Sequence, residues 1–388
     1  MPLKNPIDAV LQRAADAGHV PGVVAMVTNG RDTLYQGAFG KRALDQGQPM
    51  TLDTVGWIAS MTKAVTATAA LQLLERGKLD LDSPAQQWLP ALGQVQVLEG
   101  FDATGRPRTR APKQAITLRH LLTHTSGFGY EFLSHDIQKV QQSEGIPSAI
   151  TCERAALNLP LLFDPGERWE YGIGLDWVGL IVEAVSGKRL GEYFAENILK
   201  PIGMHDTSFA LSPGMRARKA KLHQRVEADQ LVPLDLEMPS APQVEMGGSG
   251  LYSTVGDYLK FTRMLLNRGA ADHGRVLREE TVDLLSRNQM GNLDVRPTIS
   301  ANRMLCNDMP LPPDNPQKWG LLNMINTKPM ITGRSAGSLM WAGLSNAYYW
   351  IDPTRQIAGV FMTQVLPFAD IRAMPLFFEF EYAVYQNL

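Results

Sequence analysis

Cysteine is nearly absent from this chain of 388 residues: only Cys152 and Cys306 occur. Two thiols so far apart form neither a disulfide framework nor a metal-type cluster, and are read as two buried free thiols. Charge of one sign is also missing, with 37 basic against 39 acidic residues and a net charge of −2. No basic stripe of the kind nucleic acid needs is present, which leaves a small molecule as the expected partner. No stretch reaches the roughly 20 apolar residues of a membrane span. The N-terminal segment is interrupted by Asp8, Arg13 and Asp16 and lacks the apolar run of a signal peptide, so a cytoplasmic protein is expected. The 7 histidines are scattered, and no metal or cofactor is called for. His120 and His124, one turn apart, have no third ligand nearby and are assigned hydrogen-bonding or packing roles.

What is present is an ordinary globular balance, 44% apolar and 20% charged. A first helix is expected over Pro6–Ala17, ended by Gly18. Strands Gly22–Thr28 and Thr33–Phe39 follow, joined across the turn-forming Asn29-Gly30 pair. A helix from Ser60 to Arg76 has Gly77 at its C′ position and is apolar on nearly every face, which marks it as buried. Residues 80 to 240 read as mostly helices and turns, including Thr117–Thr123, Asp176–Val185 and Leu190–Leu199. A glycine-rich stretch, GGSGLYST, leads into a helix over Val255–Asn267. Strands Ser345–Ile351 and Ile357–Gln364 and a final helix over Ile371–Tyr385 close the chain. Strands at both ends and helices between them indicate an α+β fold. The expected units are a sheet subdomain of residues 1–80 and 245–388 and a mainly helical one of residues 81–244.

The chemistry centres on Ser60-Met61-Thr62-Lys63, the only Ser-x-x-Lys match in the chain. Residues three apart at a helix start share one face, so Lys63 can reach the Ser60 hydroxyl. Serine is a poor nucleophile until its proton is removed, and a buried lysine is pushed toward the neutral amine that can remove it. The Ser60 backbone N–H, at the same helix start, is placed to donate to a developing oxyanion.

Around this pair, GWIASMTKAVTATAALQLLERGKLDLDSP resembles the nucleophile segment of class C β-lactamases and their esterase relatives. ITLRHLLTHTSGF, FDPGERWEYGIGLDWVGLIVEAVSGKRLGEYFAENILKPIGM and GGSGLYSTVGDYLKF continue the resemblance in the same order, over residues 20 to 365. The resemblance implies a β-lactamase/transpeptidase-like fold, an antiparallel sheet flanked by helices, and an acyl-enzyme on Ser60. It also implies that Tyr171, in WEYGIGLD, is the catalytic tyrosine that heads a Tyr-x-Asn motif in the family. Whether Lys63 or Tyr171 is the base stays open at this point.

Two departures bear on substrate. Ile173 stands where the family keeps the asparagine that holds an amide side chain. Trp341-Ala342-Gly343 stands where lactam-binding members keep Lys-Thr-Gly. The Trp-x-Gly version resembles family VIII carboxylesterases and implies uncharged esters, with Trp341, Gly343, Leu344 and Ile173 as substrate contacts. Gly343 is expected to let the backbone approach the substrate closely, and the Leu344 N–H to be the second oxyanion donor. A serine carboxylesterase acting on short acyl esters is the expected function. A β-lactamase or D-alanyl-D-alanine peptidase, an acyltransferase, and a catalytically silent ligand sensor are the alternatives. Gly333-Arg334-Ser335-Ala336-Gly337 matches the nucleophile elbow of α/β-hydrolases, but no histidine follows Ser335 and no strong strand precedes it. Asp176, five residues after Tyr171, is a candidate for a structural salt bridge near the site.

Overall fold

Seven antiparallel strands, drawn from both ends of the chain, form the central sheet. A computed structural model describes residues 3–388. The sheet order is Gln317–Trp319, Met324–Asn326, Leu339–Gly343, Ala347–Asp352, Ile357–Met362, Gly22–Asn29 and Thr33–Gly40. The N-terminal hairpin joins the C-terminal meander where Val24 pairs with Met362 and Asn29 with Ile357.

The segment GVVAMV is apolar at every position because both faces of its strand are covered. Val23, Ala25 and Val27 face one layer, the helices Lys4–Asp16 and Ala373–Gln386, where Ile7, Leu11, Phe377 and Phe380 are buried. Val24 and Met26 face the other layer, with Val65 of the helix Thr62–Glu75 and Leu259 of the helix Val255–Leu266. The alternation follows the two-residue period of a strand. Thr62–Glu75 is buried from Thr62 through Leu73, as its apolar sequence requires. Gly77 takes a left-handed conformation, φ 67°, just past its end.

Three local readings need correction. The hairpin does not turn on two residues: Asn29 Oδ1 accepts from the N–H groups of Arg31 and Asp32, at 2.7 and 2.6 Å, and closes a longer Asx-type loop. Residues 80 to 240 also contain strand pairs, Val97–Phe101 with Pro107–Arg110 and Leu222–Glu227 with Gln230–Leu234. These are short, partly exposed strands without a long apolar alternation, so their sequences read as loop. Finally, Met324–Asn326 is a buried strand before Ser335. The Ser335 loop nevertheless serves as an anchor on the terminal helix. The Ser335 N–H donates to Asp352, which also accepts from the Tyr385 hydroxyl at 2.8 Å, and Arg334 pairs with Glu381 at 3.3 Å with both side chains fully buried.

Candidate active site

The turn that carries Ser60 is held by the sheet it leans on. Trp57 of the short strand Val55–Trp57 donates its N–H to Gln364 Oε1 at 3.0 Å, and its carbonyl accepts from Ser345 Oγ at 2.7 Å. Ala59 then adopts φ 43°, a left-handed conformation that an alanine occupies only when its surroundings enforce it. Ser60 lies in the 3₁₀ turn Ala59–Met61, just ahead of the α-helix that begins at Thr62, so the expected helix start is a tighter turn. The strand Leu339–Gly343 presses on this turn from the other side. A Cβ on Gly343 would lie 2.2 Å from the Ile58 carbonyl oxygen. Glycine is therefore required for packing against the turn that carries Ser60, a reason that stands beside the expected close approach to substrate. This contact seats Leu344 and Ser60 in the wall of one cleft.

Lys63 is 2% exposed. Its Nζ lies 3.1 Å from Ser60 Oγ, 2.9 Å from the Tyr130 hydroxyl and 2.7 Å from the Gly248 carbonyl oxygen. Three partners match the three protons of an ammonium. The Gly248 carbonyl can only accept, so it always holds one of them. Removing one proton leaves two N–H groups for Gly248 and Tyr130 and frees a lone pair toward Ser60. Burial pushes the Lys63 ammonium well below the ordinary lysine range, opposed by the Asp176 carboxylate.

Tyr171 arrives from a loop wedged against the segment that follows Ser126. A Cβ on Gly172 would lie 2.2 Å from the Phe128 carbonyl oxygen, and the Glu170 N–H donates to the His124 carbonyl at 2.8 Å. The Tyr171 ring packs on His124, Tyr130 and Trp341, with centroids 4.7, 5.4 and 4.9 Å away. Burial drives the Tyr171 phenol well above its ordinary value, while hydrogen bonds from Ser60 and Trp341 act the other way. Tyr130 is driven upward by burial too.

One cleft is lined by Ser60, Tyr171, Trp341, Gly343 and Leu344, with Phe132, Cys306 and Met309 among its other walls. Its free space is about 30 Å³, a small fraction of an ordinary ligand pocket. A wider groove of about 330 Å³ adjoins it through the shared residues Leu133, Tyr171 and Thr298, and adds Trp169, Arg296 and Ile299. Ile173 is not among the lining residues: it is fully buried, and its carbonyl accepts from the Asp176 and Trp177 N–H groups at the start of the helix Gly174–Ser186. The expected substrate contact at Ile173 is thus a core contact. Cys306 and Cys152 are both free and buried. His120 accepts at Nδ1 from the Thr117 N–H and completes a capping box. Asp176 lies near Lys63 but reaches it through Gly248, and no direct salt bridge forms. Tyr130 and the cleft-lining Cys306 carried no recognised motif; the nearest signal was the position of Tyr130 directly after THTSGFG.

A serine beside a buried lysine and a buried phenol, against an antiparallel sheet packed by helices on both faces, defines a serine enzyme that handles acyl groups. A model of the Beta-lactamase family matches residues 7–380, and the chain belongs to that family. The monacolin J acid methylbutanoyltransferase of Aspergillus terreus is 34% identical over 402 residues, covering 98% of this chain and 95% of that protein. The lovastatin esterase of Penicillium rubens is 32% identical, covering 93% of each chain. The unliganded structure of simvastatin synthase from A. terreus, in selenomethionyl form, superposes with a TM-score of 0.86 at 33% identity over 98% of both chains. EstCE1, a hydrolase with promiscuous acyltransferase activity, shares the fold with a TM-score of 0.77 at 22% identity, covering 98% of this chain and 97% of that one.

Proposed function

We propose that the protein is a serine carboxylesterase that cleaves short-chain acyl esters through an acyl-enzyme on Ser60. The observation that carries this reading is the 3.1 Å approach of Lys63 Nζ to Ser60 Oγ inside a cleft walled by Trp341. Burial favours the neutral form of both Lys63 and Tyr171. A neutral amine is a base and a neutral phenol is not, so Lys63 takes the Ser60 proton. Ser60 Oγ then adds to the ester carbonyl, and the backbone N–H groups of Ser60 and Leu344 receive the oxyanion. As the C–O bond to the alcohol breaks, the leaving oxygen takes a proton from the Tyr171 hydroxyl, which is replenished from Lys63. Water, activated by the same amine, hydrolyses the acyl-enzyme in turn.

The narrow space beside Ser60 suits an acyl group of few carbons, and the adjoining groove offers room for a larger alcohol portion. That groove also favours a second reading, transfer of the acyl group to an alcohol bound there. The names of the relatives include both transferases and an esterase. A p-nitrophenyl ester series run beside a chromogenic cephalosporin, with intact-protein mass spectrometry, tests the proposal. Acylation by acetyl and butyryl esters, with kcat/KM orders of magnitude above that of the cephalosporin, is expected. A cephalosporin turned over as efficiently as the best ester would overturn it.

A further inference from the structure

Asp176 sits in the first turn of the helix Gly174–Ser186 and is fully buried. Its Oδ1 accepts the Gly248 N–H at 2.7 Å, and its Oδ2 has no hydrogen-bond partner among the described residues. Gly248 turns its other polar group the opposite way, its carbonyl accepting from Lys63 Nζ at 2.7 Å. One residue therefore bridges the carboxylate to the amine that lies against Ser60. A buried carboxylate with one N–H partner is costly unless a countercharge compensates it. The bonds it does make fix where the Gly248 carbonyl points, and that carbonyl fixes Lys63.

We infer that Asp176 is a positioning residue, which holds Lys63 against Ser60 through Gly248 and sets the pH at which Lys63 becomes a base. This rests on the assignment of Ser60 as the acylated residue. The groups facing the pair come from several elements. Lys63 lies on the helix Thr62–Glu75, while His124, Tyr130 and Glu131 lie on the segment after Leu122, with Tyr171 and Cys152 on separate loops. Burial keeps His124, the two tyrosines and Cys152 uncharged. Glu131 Oε1 accepts from the Ser148 hydroxyl, and its charge acts on Asp176 rather than on Lys63. Burial raises the Asp176 carboxyl as well, opposed by the facing Lys63 ammonium. In its ionised form Asp176 is the anion that faces Lys63 most directly and the one that acts on the Lys63 charge.

The sign follows from the charge. An anion favours the ammonium, so removing it lowers the pH at which the neutral amine appears. Asp176→Asn keeps the side-chain volume and the acceptor for Gly248 but loses the charge. The test measures the rate of Ser60 labelling by a serine-directed phosphonate against pH, with near-ultraviolet circular dichroism to verify folding. The acid limb of that profile should move down by about one pH unit in the variant. A purely structural role would lower thermal stability and leave the limb in place. If Asp176→Asn does not fold, Asp176→Ser, neutral and still able to accept from Gly248, gives the same readout. A folded neutral variant with an unmoved limb refutes this inference alone. A wild-type protein that the phosphonate never labels at Ser60 refutes the esterase reading and this inference with it.

Discussion

The indole N–H of Trp341 donates to the Tyr171 hydroxyl oxygen at 3.1 Å, and both side chains are buried. Trp341 therefore spends its one polar group on the tyrosine and offers substrate only its ring. The ammonium that lactam-binding members carry in this slot would instead meet a carboxylate and favour a phenolate. Trp341→Phe should keep the wall and lose a neutral hydrogen bond worth about 0.5–1.5 kcal/mol, a roughly 2- to 10-fold fall in kcat. Trp341→Lys should narrow the kcat/KM gap between esters and cephalosporins. An unchanged ratio in the lysine variant would show that the indole does not set this preference.

Ser60 and Ser335 both carry motif signatures, and their surroundings separate them. Ser335 is tied to Asp352 in the loop anchored on the terminal helix, whereas Ser60 faces Lys63. A serine-directed phosphonate should add its mass at Ser60, found by peptide mapping. Ser60→Ala should abolish ester hydrolysis and Ser335→Ala should leave it largely intact. Loss of activity in the Ser335 variant alone would contradict the assignment.

Lys63 Nζ lies 4.7 Å from the Tyr171 ring centroid, and the proposed mechanism has the two groups serve one proton path. Lys63→Ala and Tyr171→Phe should each lower turnover by roughly 10²–10⁴-fold. The double variant should fall little below the worse single one, because groups acting as a unit are non-additive. Steady-state kinetics on a p-nitrophenyl ester would read the four-variant cycle. Losses that add in logarithm would mean independent roles.

Phe132, Cys306 and Met309 line the cleft beside Ser60, where the proposed function places the acyl group. Met309→Ala should open it and raise kcat/KM for longer acyl chains relative to acetyl, by up to about fourfold per methylene accommodated. Cys306→Phe should have the reverse effect while stability stays sufficient for assay. Chain-length profiles unaffected by either change would place the acyl group elsewhere, in the wider groove.

Much of the architecture is written locally. The unbroken apolar helix after Lys63, the glycine that ends it and the hydrophobic strands at both chain ends are each set by a period or a turn preference that a short window contains. The Ser60–Lys63 pair belongs to the same class, since a three-residue spacing on one turn fixes it. Tyr171 and Trp341 were legible only as positions within longer resembling segments. The bond between them, by contrast, was not legible at all. Tertiary structure alone brought Tyr130 to Lys63 across 67 residues, Gly248 to Lys63 across 185 and Asp176 to Gly248 across 72. It likewise withdrew Ile173 into the core and placed Cys306 in the cleft. Such contacts leave no period behind, because each depends on how separate elements pack around one buried amine. The sequence singled out the residue proposed to attack and determined the fold that presents it; packing decided what surrounds the amine, and with it the charge that amine carries.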